Sequence, residues 1–451
     1  MRSNLPWFSK NAIIISVIAL SVGALAACTS SSSSSTSTPT SASPKSSGSA
    51  ASSAPINIGA SLSLHGDFSA DGANFEQGYK LWAADVNAHG GINGRQVKLT
   101  ILDDNSDPNQ AVTNYTTLIN TDHVDLTFGP FSSLLTAPAS QVAARAGYAF
   151  VEGAGGAPSV FDTPANQADH NVFDVSLPVE DTIMPFVDYL GSLPVSARAH
   201  LSAAYPMAQD PFADPPVQLA KQKLQALGIR TDSSPAIANP FPEQPSSYGP
   251  AALAVAALHP EIVVLGSTDV PTVQEFMKVF AQKHYTPKMF IAAAGPDQGA
   301  AFTSAVGAGN AVGMMVPNGW FPLFNNAASK KMVDEYVQLH GGTKSGVNAD
   351  VAEAYSVGQV AAQAIQATGG TDNTAIIKYL HSGVPLATVQ GSVQFNSLGE
   401  NGAAASFVFQ WQRHKTGSQV DFVQVLPQGV AGTGSILATK PAWDTTGPAG
   451  G

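Results

Sequence analysis

Cysteine is almost absent: Cys28 is the single one in 451 residues. One cysteine closes no internal disulfide and builds no cysteine-based zinc or iron–sulfur site. Charge is scarce as well, at 12% of residues, and it leans acidic, with 32 Asp and Glu against 21 Lys and Arg. A net charge of -11 argues against nucleic acid as a partner, because phosphate binding needs clustered cations. Catalytic spacing is missing too. The ten histidines form no H-E-x-x-H pair, and neither a G-x-S-x-G elbow nor a P-loop occurs. The Gly153-Ala154-Gly155-Gly156 stretch lacks G-x-G-x-x-G spacing, and Pro158 is expected to cut short any helix after it. No enzymatic activity, metal or cofactor is expected.

What is present begins with an address. Arg2 and Lys10 precede an apolar run over 11–27, the charge and length pattern of a secretory signal. That run is short for a membrane span. It ends Leu25-Ala26-Ala27-Cys28, which resembles the lipobox of bacterial lipoproteins. The resemblance implies cleavage after residue 27 and lipid on the Cys28 thiol, so that the protein is anchored outside the cytoplasmic membrane. Residues 28–54 are dominated by Ser, Thr, Ala and Pro, with one charge, Lys45. Such a segment buries no apolar surface and reads as a disordered linker.

From residue 55 the pattern changes to alternating strands and helices. The run 56–60 reads as a strand, followed by a loop over 61–72. Phe75, Tyr79, Trp82, Ala83 and Val86 then recur at helical spacing. Strands are expected at 97–102, 125–128 and 149–152, with helices at 108–121 and 137–146. A second series follows Asp174, with strands at 201–205, 262–266 and 289–293 and helices at 216–227, 249–258 and 270–283. Alternation of this kind implies doubly wound parallel sheets. Ligands then sit outside the carboxyl ends of the strands. The loops 61–72, 129–136 and 152–158 are the expected pocket wall.

A family resemblance rests on motifs in order: 56–60; Asp85-Val86-Asn87 with Gly90-Gly91-Ile92-Asn93-Gly94-Arg95; Asp103-Asp104 with Asp107-Pro108; Gly129-Pro130-Phe131-Ser132-Ser133; Gly295-Pro296-Asp297; Gly391-Ser392-Val393-Gln394-Phe395; and Phe409-Gln410-Trp411. Together they resemble the type I periplasmic binding proteins of ABC transporters, specifically the leucine/isoleucine/valine-binding group, over roughly 55–425. The resemblance implies two Rossmann-like α/β lobes joined by three crossovers, near 175, 316 and 403. Lobe one is then 55–175 with 317–402, and lobe two 176–316 with 403–428, before a flexible tail at 429–451. It implies a monomeric receptor that closes on an amino acid or related small molecule and delivers it to a membrane permease. A sensing ectodomain of the same fold is the alternative, and the lack of a fused kinase or second membrane segment favours uptake.

The resemblance also assigns a site. Ser133 falls where the family binds the ligand carboxylate, with helix capping as its other reading. Ala154, Gly155 and Gly156 match the loop whose backbone N–H groups face the ligand, with Gly156 where a threonine is usual. Asp297 matches the ammonium-binding acid, or else caps the next helix. Asp71 and Thr268 stand where tyrosines are common, Phe212 keeps an aromatic, and Asp350 replaces an apolar residue. Phe68 and Trp320-Phe321 could supply aromatic cover. Several acids around an apolar side chain would be poorly solvated. Either the ligand is polar or cationic, or the local register differs by a residue.

Overall fold

The computed structural model describes residues 54–322, 324, 326–414, 419–428 and 437–444. Cys28 and the signal and linker readings lie outside the described residues. Among the described residues, no helix is long and apolar enough to cross a membrane.

Two separate sheets dominate. The first is parallel, in the order β2-β1-β3-β4-β5, from β1 (Ile56–Leu62), β2 (Val97–Asp103), β3 (Leu126–Phe128), β4 (Phe150–Glu152) and β5 (Val172–Asp174). The second contains β6 (Ser202–Ala204), β7 (Arg230–Thr231), β8 (Ile262–Leu265), β9 (Met289–Ala292), β10 (Met314–Asn318), β13 (Phe407–Arg413) and β14 (Val420–Leu426). Its order is β14-β13-β10-β9-β8-β6-β7, parallel from β10 to β7 and antiparallel at the β13 and β14 edge. A small hairpin joins β11 (Leu386–Thr388) to β12 (Gly391–Val393).

Strands covered on both faces read as continuous apolar runs, because the side-chain period of two sends alternate residues to opposite faces. In β8, Ile262 and Val264 enter one apolar cluster, and Val263 and Leu265 enter another. Phe150 and Val151 of β4 divide in the same way in the first lobe. One face of the first sheet is covered by the helices Ser69–Ala88 and Ala349–Thr368. These two approach closely at Gly358, where a Cβ would fall 2.0 Å from Cδ2 of Trp82.

The chain passes between the lobes after β5, after β10 and before β13. The second crossing, expected near 316, is placed just after Asn318. β10 continues through Pro317 and Asn318, which pair with Val408 and Phe407 of β13. That long-range pairing keeps 317–318 in the second sheet. The tail is corrected over 437–444. Gln410 Nε2 donates to the Ala438 carbonyl at 2.7 Å, Trp443 Nε1 donates to the Tyr285 carbonyl at 2.6 Å, and Lys440 is buried. One tryptophan and one lysine stem dock a segment whose composition shows no periodicity. Pro158 begins a short helix, Pro158–Phe161, instead of ending one, since proline's missing N–H is no loss at a first helical position.

Candidate functional site

The strands β3, β4, β5, β8, β9 and β10 run at their carboxyl ends into one cavity between the lobes, and the chain beyond β6 reaches it as well. From the first lobe come Phe131 and Ser132 after β3, Gly153, Ala154 and Gly156 after β4, and Ser176 and Leu177 after β5. From the second come Phe212 beyond β6, Thr268 after β8, Ala293, Ala294 and Asp297 after β9, and Asn318 and Gly319 at the end of β10. Helices contribute the rest: Asp71 in the first turn of Ser69–Ala88, and Asp350 and Glu353 in the first turns of Ala349–Thr368. The space among these residues is about 710 Å³ when the open solvent at its mouth is counted.

Seven of the expected residues are brought together on this wall: Asp71, Ala154, Gly156, Phe212, Thr268, Asp297 and Asp350. Ser133, Gly155 and Trp320 are not on it. Ser133 is fully buried behind the wall, where its Oγ accepts the Ala157 N–H at 3.2 Å. Ser132 occupies the wall instead and caps the helix Ser133–Arg145, its Oγ accepting the Leu135 N–H at 3.4 Å. The reason is backbone geometry. Ser132 has φ 76°, a left-handed conformation that L-residues rarely adopt outside strained functional positions, and this turns its side chain to where its neighbour's is expected. Gly155 directs its N–H to Glu152 Oε2 at 2.5 Å. Trp320 packs in the first lobe's core and donates from Nε1 to Ser329 Oγ at 3.1 Å. Phe68 is buried too, with its ring 5.7 Å from that of Phe131, which does reach the cavity. Gly156 leaves no room for the usual threonine, because a Cβ there would lie 2.7 Å from Asp174 Oδ2.

Asp297 is not the cap of the helix Gly299–Val306; Gln298 occupies that position. Asp297 instead accepts from the Gly295 N–H at 3.0 Å and from Asn318 Nδ2 at 3.3 Å. Gln298 spans the cleft. Its Nε2 donates to Asp350 Oδ2 at 3.0 Å, and its Oε1 accepts from Asn74 Nδ2 at 3.1 Å and from Asn348 Nδ2 at 3.0 Å. All three partners belong to the first lobe.

The electrostatics are those of crowded acids. Burial, then the Asp350 and Asp297 carboxyls, hold Asp71 well above the usual carboxylate range. Burial pushes Asp297 up to about 6. Burial and then Asp297 push Asp350 up to about 8. Burial and then Asp350 hold Glu353 well above its ordinary value. Thr268 donates from Oγ1 to Glu243, whose carboxyl rises to about 9 through burial and then the nearby Asp210. Glu353 carries no expectation from the sequence, whereas Phe131 and Ser132 lie in the loop 129–136 expected as pocket wall. The signal for Glu353 was available, because a residue three after Asp350 in a helix shares its face.

The comparisons match this architecture. A family model described as "Periplasmic binding protein" matches residues 55–418. The Leu/Ile/Val-binding protein homolog 1 of Brucella abortus (strain 2308) is 36% identical over 94 residues, which cover 21% of this chain and 25% of that protein. The matched stretch thus spans a quarter of that relative's length. A leucine-binding protein from Thermotoga maritima superposes with a TM-score of 0.66 at 18% identity, over 81% of this chain and 97% of its own. A solute-binding protein of an ABC transporter from R. palustris, in complex with benzoate, superposes with a TM-score of 0.65 at 16% identity, over 86% of this chain and 97% of its own. By the extent of the family match and by its two facing α/β lobes, the chain belongs to the type I periplasmic binding proteins, an extracytoplasmic family of solute receptors.

Proposed function

We propose that this chain is the substrate-binding lipoprotein of an ABC uptake transporter, held at the outer face of the bacterial cytoplasmic membrane by lipid on Cys28. It captures an amino acid or a related small molecule between its lobes and presents the closed form to a permease. The observation that carries this reading is the cavity lined from both lobes and bridged by Gln298. A ligand that touches both lobes favours the closed arrangement over the open one, which leaves it contacts from one lobe only. The names of the relatives agree with a small-molecule cargo, leucine-like in some and aromatic in another.

A thermal-shift screen of the full chain against amino acids, amines, amides, aromatic acids and sugars tests the receptor reading. A ligand at 100 times its Kd adds about 2.7 kcal/mol of stability, which raises the melting temperature visibly. Hits confined to one chemical class are expected, and silence across the whole panel would sink the reading. The anchor is tested separately: Cys28→Ala should move the protein from the membrane to the soluble fraction, and unchanged partition would remove the lipid from the proposal.

A further inference from the structure

The cavity wall holds four carboxyl groups, Asp71, Asp297, Asp350 and Glu353, and no lysine, arginine or histidine. Clustered acids alone could be incidental. One of them, however, has a buried oxygen without a partner. Asp71 is 1% exposed, lines the cavity, and its Oδ1 has no hydrogen bond within the described chain. A buried carboxyl oxygen in that position is costly unless something entering the cavity satisfies it. Among the described residues, no group of three or more His, Cys, Asp or Glu is arranged to hold a metal ion, so inorganic cation chemistry does not account for the cluster.

A second observation concerns the opposite charge. The loop after β4 presents backbone N–H groups beside the cavity, where a ligand carboxylate would find donors. Those of Ala154 and Gly155 are already committed to Glu152 Oε2, at 2.8 and 2.5 Å. The Ser133 hydroxyl accepts the Ala157 N–H. The chain therefore supplies its own carboxylate to this loop. Meanwhile aromatic rings reach the cavity from both lobes, Phe131 from the first and Phe212 from the second. Carboxylates for charge and ring faces for a hydrocarbon body are the chemistry that recognises organic ammonium groups.

We propose that the cleft takes a small organic cation with two amino or amidino groups and no carboxylate, its charge shared by Asp71, Asp350 and Glu353 of the first lobe and Asp297 of the second. This deepens the receptor reading and rests on it. A dication supplies the counter-charge that the chain lacks here. A zwitterion would bring a carboxylate into a site where the Ala154 and Gly155 amides are already taken by Glu152. A bound dication also displaces protons. Asp71 faces Asp350, Asp297 and Asp269, and Glu353 faces Asp350, Asp174, Asp297 and Glu152, with no cation among them. Affinity should therefore rise with pH as the acids that face the ligand give up their protons.

The test is calorimetry and thermal shift of the full chain at pH 8 with 1,4-diaminobutane, L-leucine and benzoate as probes. The diamine should bind at least about tenfold more tightly than leucine, and benzoate should not bind. Asp71→Asn and Glu353→Gln should each weaken diamine binding by about tenfold or more, the loss of one charge-assisted contact. Ligand-free, both variants should melt no lower than the parent, because each removes one of several crowded like charges, and this separates a lost contact from a lost fold. Binding of leucine or benzoate without the diamine overturns the cation assignment and leaves the receptor reading standing. No response to any probe overturns the cation assignment and withdraws this support from the receptor reading. Diamine binding unchanged in both variants places the diamine elsewhere and overturns the site.

Discussion

Gln298 makes the closed form measurable. Its carboxamide carries three hydrogen bonds across the cleft, to Asp350, Asn74 and Asn348. Gln298→Ala removes all three. Each is worth about 1 kcal/mol net, and the partners regain water when the lobes part, so no penalty for stranded buried groups is added. Asp350 sits at about 8, so near neutrality its bond is one between neutral groups and takes no charged premium. The sum is about 3 kcal/mol, on the order of a 100-fold shift of the closed–open equilibrium toward open. The bond from Asn348 Nδ2 to the Asp297 carbonyl at 3.3 Å survives the change. Small-angle scattering of the ligand-free protein reads the result as a larger radius of gyration in the variant. Asn74→Ala, which removes one bond of the three, should give about a third of the free-energy effect. Superimposable scattering curves for Gln298→Ala and the parent would refute the latch.

Two further outcomes follow from the same structure. Asp350 in the folded protein holds its proton to about 8, while in the unfolded chain it releases it near its ordinary value of 3.8. The folded state thus binds more protons between those limits, and the contribution is lost as pH rises from about 4 to about 8, at up to about 1.4 kcal/mol per pH unit. Asp350→Asn should flatten the fall in melting temperature between pH 5 and 8 in the ligand-free protein; parallel profiles would show that Asp350 does not titrate in this way. Gly358→Ala puts a Cβ against the indole of Trp82 and should cost about 1–3 kcal/mol or more in chemical denaturation. Helix propensity alone would make the same change stabilising, so a neutral or positive result would show that the two helices separate freely.

Much of this protein is legible along its chain. Alternation marks β1, continuous apolar runs mark β8 and β9, and the 3- and 4-residue spacing from Phe75 to Val86 marks the helix that carries Asp71. The order of these elements determines two doubly wound sheets, and with it the place of the cavity at the carboxyl ends of strands. Asp71, Asp297 and Asp350 are visible as acids in that neighbourhood because they lie in loops and first turns after identified elements.

What only the tertiary structure decided turns on contacts between residues far apart in sequence, or on a single backbone angle. At Ser132, where φ is 76°, the chain sets that serine and not Ser133 on the cavity wall. Pairing of Asn318 with Phe407 fixes the residue at which the second crossover begins. Trp320 becomes core because Ser329 offers its indole N–H a partner there. Glu152 fills amides that the loop sequence alone leaves open. Local periodicity carries secondary structure because neighbouring residues set it. The partner of a buried polar atom is set by whatever the fold brings beside it, and one residue of register is enough to change which atom that is.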